Sequence, residues 1–239
     1  MQVTTKAIVF SSLKYGDTSL IVKAFTASDG LKSYLLKGVL SSKKGRLKAA
    51  YFQPLMQLEL VAIHKNKGTL ERIREAKVHY PYSTVYQDPT KNAIVLFLSE
   101  MLRNAVYEEE QNLPLFEFLE ASLQWLDTHE KVANFHVGFL IELTKYLGFY
   151  PDTFQTNAPY FDLVEGEFSR DPGDHPALEG RNLEFLKTFL GTNFDGFHSI
   201  PMGKTERQSL LKDLVLYFEL HLHGFKKPRS LAVLNEVFS

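Results

Sequence analysis

Five short segments rich in β-branched and aromatic residues fill the first 80 positions, and this spacing constrains the fold more than any other feature of the sequence. KAIVFSSLKY and SLIVKAFTA are separated by the turn-forming pair Gly16-Asp17. Ser28-Asp29-Gly30 turns into LKSYLLK, a long basic connection follows, and then come LMQLELVAIH, the turn KNKG and TLERIREAKV. Five strands in so short a stretch leave two exposed edges unless the sheet curls on itself, so the spacing predicts a small closed β-barrel.

The pattern changes after Tyr80-Pro81-Tyr82, where apolar residues recur at helical spacing. Ile94, Phe97, Leu98, Met101, Leu102 and Ala105 mark one buried helix face, with Thr90 as the expected cap. Helices are predicted through LPLFEFLEASLQWLDT, through NFHVGFLIELTKYLG with Gly148 closing it, and through three further stretches toward the carboxyl end. Residues 149–180 break this run with prolines and glycines, and YFDLVEGEFS reads as a small hairpin. The expected architecture is α+β and multidomain: a barrel over residues 1–80, then a helical domain over residues 81–239 with an irregular insert at about 149–180.

The formal charge of −1 hides an asymmetry. Residues 1–80 carry 14 Lys+Arg and 5 Asp+Glu, or +9, and the remainder is −10. Residues 30–58 hold six basic side chains and no acidic one, which points to a polyanion partner for the first domain. The chain has no cysteine, which removes thiolate nucleophiles and Cys-based metal sites and suits a reducing cytoplasm. No apolar run is long enough to span a bilayer, so an intracellular protein with no membrane partner is expected.

Features that suggest catalysis dissolve on inspection. Gly203-Lys204-Thr205 lacks the upstream glycine of a phosphate-binding loop, whose place is taken by His198. His221 and His223 are two apart and fall on different sides of a helix, and no serine sits in a nucleophile elbow. No enzymatic activity, cofactor or metal is expected.

The basic segment suits a nucleic-acid backbone. Its long loop carries Lys43, Lys44, Arg46 and Lys48, and Lys37 precedes it. Alternation places Lys32 with Tyr34 on one face of the third strand, and Lys23 with Phe25 on one face of the second. Each ring is either a stacking platform for bases or an ordinary core residue. Lys65 and Lys67, in the KNKG turn, complete the candidate DNA-binding set.

KYGDTSLIVKAFTASDGLKSYLLKGVLSSKK, followed by FQPLMQLEL, resembles the amino-terminal signature of the RecO family of DNA repair and recombination mediators. A Tyr-Gly-acid turn, a Phe-Thr…Gly hairpin, a Lys-Gly motif and a basic loop occur in the family's order, and LGFYPD and HGFKKPRSLAVL extend the match more loosely. The resemblance implies an OB-fold barrel that binds and anneals single-stranded DNA, and a protein that helps load a RecA-type recombinase onto DNA coated with single-strand-binding protein. It implies a RecR-type partner, an indirect link to the recombinase, and a bacterial, nucleoid-associated location. It also implies that the helical domain receives the acidic tail of the single-strand-binding protein. Lys226, Lys227 and Arg229 are the densest cations there, and they serve either that tail or the dipole at a helix end. An RNA-binding OB-barrel protein with a helical interaction domain is the alternative. Many family members carry four zinc-binding cysteines after the Gly-Phe-x-Pro segment; here that region has none, so the hairpin around Gly166 is expected to rest on Tyr160, Phe161 and Phe168.

Overall fold

The computed structural model describes residues 1–41, 47–107 and 109–238. Two compact units are formed, Met1–Thr128 and His129–Ser239.

The first unit is built on an antiparallel sheet of β1 (Gln2–Tyr15), β2 (Ser19–Thr26), β3 (Gly30–Leu36), β4 (Gln57–Ile63) and β5 (Arg72–Val78), in the order β3-β2-β1-β4-β5. The five strands fall where the alternating segments predict them. Closure differs from expectation, because the edge strands do not form a continuous ladder. They meet at one parallel bridge, Tyr34 with Glu71, where Leu35 N–H donates to the Glu71 carbonyl at 3.1 Å and Glu71 N–H to the Ser33 carbonyl at 2.7 Å. The concave face encloses Val9, Val22, Ala24, Tyr34, Leu36, Leu60 and Ile73, among others.

A bulge lies between Val9 and Ser11 of β1. At this bulge the outward side chains Phe10 and Phe25 stack at 5.8 Å, and Phe25 continues onto Phe116 at 6.3 Å. Phe116 belongs to α2 (Leu113–Thr128), which with α1 (Pro89–Ala105) completes the unit. Asp88, rather than the expected Thr90, caps α1: its carboxylate accepts from Thr90 N and Lys91 N at 2.8 and 3.0 Å, with Pro89 in the first turn. The acid wins because its side chain reaches two orphan N–H groups at once. Asp127, near the end of α2, accepts from the main-chain N–H of Ser83, Thr84 and Val85 and so ties the strand-to-helix connection down.

The second unit contains α3 (Phe135–Leu147), α4 (Gly180–Leu190), α5 (Lys204–His221), α6 (Leu231–Val237) and a 3-10 turn at Phe194–Ser199. Gly148 ends α3 in the left-handed region (φ 84°), as the sequence predicts. Gly138 makes a closer approach possible: a Cβ there would lie 2.0 Å from the Phe197 ring. The insert is more than a hairpin. β6 (Tyr160–Asp162) pairs with β7 (Glu167–Ser169) and also with β8 (Ala177–Leu178).

Phe161 and Phe168 meet edge to face at 5.1 Å, with Leu163 and Leu178 buried beside them, while Tyr160 stays half-buried. A zinc ion does not fit this centre, which offers aromatic and aliphatic carbon. The one histidine–carboxylate pair nearby, His175 with Asp162 at 2.9 Å, is already mutual, and Asp162 also accepts from Val164 N and Glu165 N.

Candidate nucleic-acid interface

Side-chain alternation decides which residues the first sheet presents outward. Because Leu20, Val22, Ala24, Tyr34 and Leu36 point into the concave core, Ile21, Lys23, Ser33 and Leu35 point away from it. The registers place these side chains in rows. Leu13 of β1 pairs with Ile21 of β2, and Ile21 with Leu35 of β3. One row along, Lys23 stands between Ser11 and Ser33. Leu13 is 58% exposed and Tyr15, at the strand end beyond it, is 57% exposed. The outward face therefore offers an apolar stripe, an aromatic ring and a cation.

Sequence reasoning missed this stripe. The bulge at Phe10 shifts the phase of β1, so simple alternation from its first half gives the wrong facing for Leu13. The signal lay in the second strand, where Ile21 and Lys23 alternate with Leu20 and Val22.

The other expected residues separate into three groups. Lys23, Lys37, Lys48, Lys65 and Lys67 are exposed, and the Lys48 ammonium sits 5.7 Å from the Tyr51 ring centre. Lys43, Lys44 and Arg46 lie outside the described residues. Lys32 and Tyr34 are corrections, because both are buried. The Lys32 ammonium donates to the Glu109 carbonyl at 3.0 Å, in the α1–α2 connection. Tyr34 is 0% exposed, so its ring offers no face to a base; the second ring, Phe25, is likewise enclosed. Lys32 and Tyr34 lie on the inward side of β3, at the seam where Tyr34 bridges Glu71, whereas Phe25 points outward and is covered by Phe10 and Phe116.

Tyr34 belongs instead to a polar chain. Its hydroxyl lies 2.7 Å from His64 Nε2, and His64 Nδ1 lies 2.8 Å from Asp29 Oδ2. Burial, followed by the charges of Asp29 and Glu71, pushes the Tyr34 phenol far above its usual value. Burial would also raise the Asp29 carboxyl, but hydrogen bonds from Ser28, His64 and Asn66 outweigh it and hold the group below its ordinary value. Its Tyr34 and His64 members are sealed from solvent and pack the seam of the sheet, while Asp29 lies partly exposed at its outer end.

In the second unit, Lys226, Lys227 and Arg229 are exposed beyond α5, and Lys227 pairs with Glu219 at 2.9 Å. Among the described residues there is no group of three or more His, Asp or Glu arranged for a metal, and no helix is long and apolar enough to cross a membrane.

Comparison with known proteins places the whole chain in one family. Residues 1–82 match the family model described as Recombination protein O N terminal, and residues 86–231 match Recombination protein O C terminal. The chain belongs to the RecO family. Among RecO relatives, a DNA repair protein RecO from Christiangramia forsetii is 52% identical over the full length of both chains. One from Flavobacterium psychrophilum is 51% identical over the same extent, and one from Bacteroides fragilis is 40% identical over 98% of each chain. The RecO assignment carries the OB-fold reading of the first sheet and a role in DNA repair.

Proposed function

We propose that this RecO-family chain is a non-enzymatic recombination mediator that binds and anneals single-stranded DNA on the outward face of its first sheet. The observation that carries this reading is the juxtaposition on β1, β2 and β3. The Leu13–Ile21–Leu35 stripe and Tyr15 supply apolar and aromatic contact for bases, and Lys23 stands in the next row. Lys37, Lys48, Lys65 and Lys67 are exposed on the connections around that sheet and supply cations for phosphates. The basic connection's Lys43, Lys44 and Arg46 extend the same charge.

In this reading the second unit engages proteins: a RecR-type partner, and the acidic tail of single-strand-binding protein at Lys226, Lys227 and Arg229. Through those contacts the protein helps a RecA-type recombinase replace single-strand-binding protein. Fluorescence anisotropy with a labelled oligothymidylate tests the central claim. Lys23→Glu with Lys37→Glu and Lys48→Glu should abolish most binding in a folded protein, and with it the annealing of complementary strands. Undiminished binding overturns the assignment of this face. Tighter binding to RNA than to DNA of equal length favours the RNA-binding alternative.

A further inference from the structure

We propose that Glu71, a buried acid in a basic domain, is a positioning residue that holds the cationic Lys65–Lys67 turn in its DNA-binding conformation. The inference rests on the reading of this turn as part of the DNA interface.

Glu71 is 4% exposed and lies at the seam of the sheet. Its main chain forms the bridge to β3, and its side chain does something separate. Oε1 accepts from the main-chain N–H of Lys65 and of Asn66, each at 2.9 Å. Those two N–H groups open the β4–β5 turn, and a carboxylate shared between them fixes its direction of departure from β4. Asn66 is in the left-handed region (φ 52°), a conformation that costs a non-glycine residue free energy and persists only where surroundings hold it. A second, weaker anchor runs from Asn66 Nδ2 to Asp29 Oδ1 at 3.4 Å. Between these anchors and Gly68 (φ 65°), the side chains of Lys65 and Lys67 are exposed.

A flexible turn would display the same two charges. What Glu71 contributes is order: the turn's conformation is set before a phosphate arrives, so less entropy is lost on binding. The consequence runs against simple electrostatics. Removing an acid from a DNA-binding domain ordinarily tightens binding, whereas here removing the reach of that acid weakens it.

Two substitutions separate reach from charge. Glu71→Gln loses the charge but keeps an oxygen where Oε1 lies; Glu71→Asp keeps the charge but falls one methylene short of the two N–H groups. Binding to an oligothymidylate is measured against salt concentration for both. Positioning predicts that E71Q binds as tightly as the native chain or tighter. It predicts that E71D binds about threefold to tenfold more weakly, with a log–log salt slope shallower by about 0.7 for each phosphate that the turn no longer neutralises. Native affinity and slope in folded E71D overturn the proposal. Lys65→Ala with Lys67→Ala tests the underlying reading: if that pair binds as the native chain does, the turn lies outside the interface and both ideas fall. If the pair weakens binding while E71D does not, only the positioning role falls. Should E71D fail to fold, hydrogen exchange of the native chain carries the test: positioning predicts that the Lys65 and Asn66 amides held by Glu71 are protected, and exchange as fast as in an unstructured peptide overturns the proposal.

Discussion

The Tyr34 hydroxyl and His64 Nε2 stand 2.7 Å apart inside the first unit, beside the isolated bridge between Tyr34 and Glu71. His64 is in turn held by Asp29 at 2.8 Å and lies 3% exposed, so the contact cannot be replaced by water without rearrangement. Tyr34→Phe keeps the ring and removes only the hydroxyl. The variant should lose about 1–3 kcal/mol of stability because a buried partner is left unsatisfied. Its affinity for single-stranded DNA should stay within about twofold of native, well inside the roughly 1–3 kcal/mol that a base-stacking ring contributes. Urea denaturation and anisotropy check the two halves.

Lys32 and Lys23 are both strand lysines, yet the first is buried against the Glu109 carbonyl and the second faces outward. Lys23→Ala should weaken DNA binding and reduce the salt slope by about 0.7, the value for one phosphate on a single strand. Lys32→Ala should leave that slope unchanged and lower the melting temperature. An equal loss of slope in both variants would return Lys32 to the interface.

Asp127 gives the first unit an acid limb. Burial would raise its carboxyl, but the N–H groups of Ser83, Thr84 and Val85 and the Thr84 hydroxyl outweigh that and leave its value below the ordinary one. A carboxyl lowered in the folded state contributes stability above its unfolded value of about 3.9, and that contribution disappears as pH falls through the lower, folded value. Asp127→Asn should therefore flatten the acid side of the stability profile. Asp127→Ala, which strands several N–H groups, should cost upwards of about 2 kcal/mol at neutral pH. Denaturation midpoints from pH 2 to 7 provide the test.

Two glycines on α3 and at its end should fail for different reasons. Gly138→Ala drives a methyl into the Phe197 ring, which is 1% exposed, and should cost about 1–3 kcal/mol by overpacking. Gly148→Ala meets nothing within 4 Å, but at φ 84° it should cost about 1–2 kcal/mol through backbone strain. Gly148→Asn, better tolerated in that conformation, should recover part of the second loss, whereas Gly138→Asn should be worse than Gly138→Ala. Calorimetric melting of the four variants distinguishes the mechanisms.

The zinc question has a direct check. With Phe161 and Phe168 filling the centre of the β6–β7–β8 sheet, incubation with a chelator should leave the melting temperature unchanged, and elemental analysis should find no stoichiometric zinc. Phe161→Ala should instead destabilise the second unit by about 3–5 kcal/mol.

Local pattern was enough to find β1 to β7 and the α-helices, because each is written within a dozen or so neighbouring residues, whereas the two-residue β8 carries no such pattern. Period-two segments became β1 to β5, period-3.6 segments became the helices, and Gly148 ended α3 where a left-handed residue was needed. The charge division was equally legible, since counting residues requires no geometry. Facing was not. Alternation correctly grouped Lys32 with Tyr34, but whether that face looked inward depended on how the sheet curled, and only the bridge from Tyr34 to Glu71 decided it. The bulge at Phe10 likewise reset the phase of β1 and turned Leu13 outward. Asp29, His64 and Glu71 are scattered along the sequence among ordinary turn and strand residues. They became one hydrogen-bonded cluster around the seam because pairing brought β3, β4 and β5 together, and such long-range closure leaves no periodic trace in the chain.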